Sequence, residues 1–125
     1  MWRDQNDTRA WYGEAVNDIE LGWLAGVFEG EGCLSLARTY GKRIDRWWAG
    51  VVMSDEDVMH RFHQLIGVGT ITGPYTRTNR PTDKPLWKWQ IAAQEDVLNF
   101  CALMQPYMGE RRAAKMAECI GDLTS

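Results

Sequence analysis

No stretch of this chain approaches the run of about 18 apolar residues that a membrane-spanning helix requires, so no membrane span is expected. The first residues, with Asp4, Asp7 and Glu14, lack the basic and apolar regions of a secretory leader. A cytoplasmic location is the expectation that follows. Cysteine is sparse: Cys33, Cys101 and Cys119 are odd in number, far apart and form no CxxC pair. That excludes a disulfide framework and a zinc site, and leaves buried free thiols as the expected state. There is no P-loop, no Ser/His/Asp pattern and no dinucleotide-binding glycine run, since Gly67-Val68-Gly69 is too short to be one. The two histidines, His60 and His63, lie near Asp57 at a spacing that suits surface positions on a helix better than a metal site.

What remains is a chain of 125 residues, enough for one domain with a proper core and too short for a second of similar size. Seven tryptophans among 45% hydrophobic residues imply a large aromatic core or an aromatic contact surface. The net charge of −3 is unevenly spread. From Cys33 to Ser54, Arg38, Lys42, Arg43 and Arg46 oppose only Asp45; from Thr70 to Ala93, Arg77, Arg80, Lys84 and Lys88 oppose only Asp83. Each segment carries +3, which leaves −9 for the rest of the chain. Two basic segments on an acidic protein suit a partner rich in phosphate.

Residues 1–17 show no clear period and read as an extension, with Trp2, Trp11 and Tyr12 as docking candidates; residues 18–125 read as the single domain. Asn17 or Asp18 can cap a helix whose first turn holds Glu20, and which ends in Glu29-Gly30-Glu31-Gly32 through the backbone freedom of glycine. Strict alternation predicts strands over Cys33–Arg38 and Arg46–Met53, joined by a turn at Tyr40-Gly41-Lys42. Ser54, followed by Asp55, Glu56 and Asp57, predicts a helix with Val58, Phe62, Leu65 and Ile66 on its inner face, stopping at Gly67. A second hairpin follows, Gly69–Thr72 with Leu86–Ala92, around a polar loop from Pro74 to Pro85. Helices over Gln94–Gln105 and Glu110–Ile120 complete an α+β chain of order αββαββα, with four antiparallel strands covered by helices on one face.

The segment Trp23-Leu24-Ala25-Gly26-Val27-Phe28-Glu29-Gly30-Glu31-Gly32 resembles the signature of the LAGLIDADG homing endonucleases, in their single-motif, homodimeric form. Ile66-Gly67-Val68-Gly69 resembles that family's helix-to-strand junction, and Met104-Gln105-Pro106-Tyr107-Met108 with Arg111-Arg112 resembles its ending. The resemblance covers residues 18–120 and implies a saddle-like antiparallel sheet and a sequence-specific, double-strand DNA endonuclease. Small residues at Gly22, Ala25 and Gly26 would let two copies of the first helix approach closely about a twofold axis. Both Glu31 carboxylates would then meet at one point, where hard oxygen ligands suit Mg²⁺ or Mn²⁺. The family implies the Gly30 carbonyl as a further metal ligand.

The open sheet face is the expected surface for double-stranded DNA, presenting alternate residues to base edges. By parity these are Ser35, Arg46, Trp48, Thr72, Lys88 and Gln90, with Arg77, Asn79, Arg80 and Lys84 of the long loop reaching further along the duplex. Two departures bear on catalysis. Arg111 stands where many family members have a lysine, and retains its charge without its capacity to shuttle a proton. Met53 stands where some have a water-positioning glutamine. Both keep open an alternative, a relative that binds DNA or intron RNA without cutting it, as a maturase or repressor does.

Overall fold

The computed structural model describes residues 16–39, 44–77, 79, 82 and 84–125. The expected turn at residues 40–42, the N-terminal docking residues, and Lys42, Arg43 and Arg80 lie outside these. Helix α1 (Asp18–Glu31) starts at Asn17, whose Oδ1 accepts the Glu20 N–H at 2.7 Å while Glu20 Oε1 accepts the Asn17 N–H at 3.0 Å. Two otherwise unpaired donors are thus satisfied reciprocally. At the other end the sequence expectation is only half met. Gly30 lies inside the helix, and Gly32 closes it in ordinary extended backbone, φ −83°. Glycine is needed there for space, because a Cβ would collide with the Phe28 ring.

The chain continues through β1 (Gly32–Thr39), β2 (Ile44–Met53), α2 (Glu56–Ile66), β3 (Thr70–Tyr75), β4 (Leu86–Ile91), α3 (Gln94–Met104), a 3-10 turn (Gln105–Tyr107) and α4 (Glu110–Thr124). The sheet order is β1-β2-β4-β3, with every neighbouring pair antiparallel. The expected α+β order is realised. Its boundaries move: β3 runs on through Pro74 to Tyr75 across an irregularity in its pairing, and α2 is entered from Asp55 rather than Ser54, with no side-chain cap.

Alternation assigns each strand residue to a face. Leu34, Trp47, Ala49, Val51, Trp89 and Ile91 are buried on one face beneath Leu24, Phe28, Met59, Phe62, Phe100, Met104 and Met116 from the helices. Phe28, Phe100, Trp89 and Phe62 form a chain of tilted and edge-on ring contacts, with centroids 4.7 to 5.4 Å apart. Such pairs add about 0.5–1.5 kcal/mol each beyond the area they bury. Trp89 Nε1 donates to the Val68 carbonyl at 2.9 Å. That contact depends on the Gly67-Val68-Gly69 junction, where Gly67 (φ 85°) ends α2 in left-handed backbone and Gly69 (φ 99°) passes so near β4 that a Cβ would lie 2.9 Å from the Gln90 carbonyl oxygen.

Candidate nucleic-acid interface and acidic site

Among the described residues, no helix covers the opposite face of the sheet. The pairing places Ser35 beside Trp48, Ala37 beside Arg46, Gln90 between Gly50 and Thr70, and Lys88 between Val52 and Thr72. All six residues nominated by parity therefore share one face. Arg46 and Thr72 are exposed, and Ser35, Trp48, Lys88 and Gln90 are partly so. Lys88 Nζ lies 5.8 Å from the Trp48 ring centre, so a cation and an aromatic face are offered together. Arg46 also reaches the Ala92 carbonyl at 3.4 Å. Arg77, Asn79 and Lys84 are exposed on the loop between β3 and β4.

Cys33 and Val52 extend this face, and Cys33 corrects the expectation of three buried thiols. It is exposed and 3.4 Å from Ser35 Oγ. Cys101 and Cys119 are buried, and burial pushes both thiols upward in pKa, Cys101 very far.

Glu31 is the last residue of α1 and is exposed at the head of β1. Among the described residues it engages no donor, so its oxygens face outward. Gly22, Gly26 and Gly30 are also exposed, and a Cβ built on any of them meets nothing within 4 Å. Ile19, on the same side of the helix, is 83% exposed. Ala25 is 5% exposed and belongs to the core cluster, whereas Gly22 and Gly26 are exposed.

Arg111 is exposed on the first turn of α4, where it lines a groove of about 450 Å³ with Leu34, Arg112, Ala114, Lys115 and Glu118. Met53 belongs to the helix side of the sheet, partly buried against the core, while its open-face neighbour Val52 is 37% exposed. Neither of the last two residues of β2 offers a polar group. His60 pairs with Glu56 at 3.3 Å and packs its ring on Trp87, and no cluster of three or more His, Cys, Asp or Glu occurs among the described residues.

Two groups near the acidic end went unnoticed in the sequence. The Glu29 carboxylate accepts the Gly109 N–H at 2.8 Å, and Arg112 donates to backbone carbonyls at the end of α1. Their only sequence signal is membership of the motif and of the Arg-Arg pair. Partners some 80 residues apart leave no periodic trace.

This arrangement, a four-stranded sheet with one open face and a central helix ending in an outward carboxylate, is the LAGLIDADG homing-endonuclease fold. Solved structures of that class superpose on the chain. The group I intron-encoded homing endonuclease I-CeuI, complexed with DNA, matches with a TM-score of 0.69 at 12% identity, over 97% of this chain and 62% of that one. I-GzeII in complex with its DNA target gives 0.69 at 17% identity, over 89% and 38%. I-CvuI with its target in the presence of 2 mM Ca gives 0.67 at 14% identity, over 85% and 66%. The chain thus spans less than two thirds of the I-CeuI and I-CvuI chains and well under half of I-GzeII. No protein-family model matches the sequence, and the comparison with curated proteins found no match.

Proposed function

We propose that this protein is a sequence-specific, divalent-metal-dependent endonuclease that acts on double-stranded DNA as a homodimer, with residues 18–125 as its working unit and residues 1–17 as an extension. The observation that carries the reading is the outward Glu31 carboxylate at the end of a helix whose adjoining side is a bare glycine stripe. A second copy laid along that stripe would bring two such carboxylates together. The DNA-bound neighbours agree with the reading, and I-GzeII, with over twice the matched length, leaves room for a second copy's worth of fold.

The donor set fits a hard cation. Glu31 and Gly30 are exposed residues, and a carboxylate and a backbone carbonyl are hard oxygen donors that suit Mg²⁺ or Mn²⁺. When bound, such an ion would supply electrostatic stabilisation of the charge that builds on a phosphodiester during hydrolysis. Arg111 would add fixed positive charge beside the phosphate, and the sheet face would set the register on the duplex through Arg46, Trp48, Lys88 and Gln90.

A second reading, a DNA- or intron-RNA-binding relative without cleavage, is favoured by one observation: the apolar end of β2 at Val52 and Met53 provides no group to orient water. Selection from a randomised duplex library with Mg²⁺, run beside Glu31→Gln, separates the two. The nuclease reading expects wild-type cleavage, and binding without cleavage by the variant. Binding by both with cleavage by neither leaves the second reading.

A further inference from the structure

The last carbonyls of a helix have no partners within it, and α1 has no basic residue in its final turn. A cation from α4 compensates. Arg112 is 12% exposed, donates Nη1 to the Gly32 carbonyl at 2.9 Å and Nη2 to the Glu29 carbonyl at 3.3 Å, and lies over the Phe28 ring with 5.2 Å to its centre. Its Nε stands 3.7 Å from the Glu29 carboxylate, which in turn accepts the Gly109 N–H. One planar guanidinium therefore holds the backbone on both sides of Gly30 and Glu31, and none of these bonds occupies the Gly30 carbonyl. The same contacts fix the start of α4, which carries Arg111.

We propose that Arg112 is a positioning residue for Glu31. It sets the direction of the metal-binding carboxylate and the Gly30 carbonyl, and it ties Arg111 to them. The proposal rests on the metal reading above. A rigid fork is required, because two carbonyls three residues apart, one in the last turn of α1 and one at its extended cap, need two donors in a fixed relation. A lysine supplies the charge at one point only.

The test is paramagnetic broadening of backbone amide signals by Mn²⁺, in wild type and Arg112→Lys, with thermal unfolding measured in parallel. In wild type the broadening should centre on Gly30, Glu31 and Gly32. In the variant it should require about tenfold more Mn²⁺, as loss of support behind a metal ligand does elsewhere. A role confined to stability would lower the unfolding temperature and leave the Mn²⁺ midpoint of the folded protein unmoved, which overturns the proposal. Should Arg112→Lys fail to fold, Glu29→Gln keeps an acceptor for Gly109 and removes the charge that orients the guanidinium. It should shift the midpoint in the same direction by less, and an unmoved midpoint again overturns the proposal. Absence of broadening near Glu31 in wild type removes the metal reading itself, an outcome distinct from equal broadening in both proteins.

Discussion

The Gln94 side chain takes the place of a strand residue opposite Trp47. Its Oε1 accepts the Trp47 N–H at 2.9 Å, and its Nε2 donates to the Trp47 carbonyl at 2.8 Å and to Ala92 at 2.9 Å. Strand β4 stops pairing at Ile91 with Ala49, so β2 would otherwise continue with an unpaired inner edge. Trp47 is anchored from above as well, through Nε1 to Asp122 at 3.1 Å. The residues on either side of it, Arg46 and Trp48, belong to the open face.

Removing this surrogate should cost measurable stability. Gln94→Ala leaves two partly buried backbone groups of Trp47 without partners, at about 1 kcal/mol each, so a loss of about 2 kcal/mol in urea unfolding is expected. Gln94→Glu should lose nearly as much, because a carboxylate keeps the acceptor and confronts the Trp47 carbonyl. A loss below about 0.5 kcal/mol in both would mean that water replaces the amide without penalty.

Most of this fold could be read from the sequence because its signals are local. The alternation of Trp87, Trp89 and Ile91 with Lys88 and Gln90 fixed both faces of β4, and every parity nomination landed on the open face. The position of Glu31 at the exposed end of α1 is legible from the glycines around it. The burial of Ala25 is not legible from spacing, because positions three and four residues apart fit two adjacent sides of a helix and only tertiary packing decides between them. Cys33 was misassigned because a small thiol is compatible with either face of a strand. The contacts of Gln94 and Arg112 were out of reach for a different reason: each joins a side chain to backbone groups distant in the sequence, where residue identity carries no information.

The glycine stripe gives a separable test of dimerisation. A Cβ at Gly26 meets nothing within 4 Å, so Gly26→Leu should leave the helix content of the folded subunit at or above wild type. The same side chain would hold two α1 helices apart. Sedimentation is expected to show a dimer for wild type and a monomer for the variant, and a dimer that survives the change would place the interface elsewhere.

Cysteine reactivity reports on the open face and on the core together. Only Cys33 should react with an alkylating agent in the native protein, because Cys101 and Cys119 are buried with their thiols held protonated. Bound duplex should slow alkylation of Cys33 several-fold, read by mass spectrometry, and an unchanged rate would argue that DNA does not cover β1. The raised pKa also has a sign. The stability linked to Cys101 is complete below the ordinary thiol value of 9.0 and declines as the pH rises beyond it, since the unfolded chain then loses a proton that the fold retains. Cys101→Ala should flatten that alkaline decline.

The charge on the open face makes the final prediction, which distinguishes contacts to phosphate from contacts to bases. A protein of net charge −3 can hold DNA only by concentrating its cations where the duplex lies, and Lys88 and Arg46 are the described cations on that face. If Lys88 meets a phosphate, Lys88→Gln should weaken all duplexes alike and lower the slope of log affinity against log salt by about one per copy, hence about two for a dimer. If it meets a base edge, the slope should hold while discrimination at one position of each half-site relaxes. Arg46→Gln admits the same two outcomes. Arg38, held by Asp45 at 3.1 Å, already has its charge largely compensated, and Arg38→Gln should change the slope less than either. Unaltered affinity, slope and base preference in both Lys88→Gln and Arg46→Gln would mean that the uncovered sheet is not the surface that meets DNA.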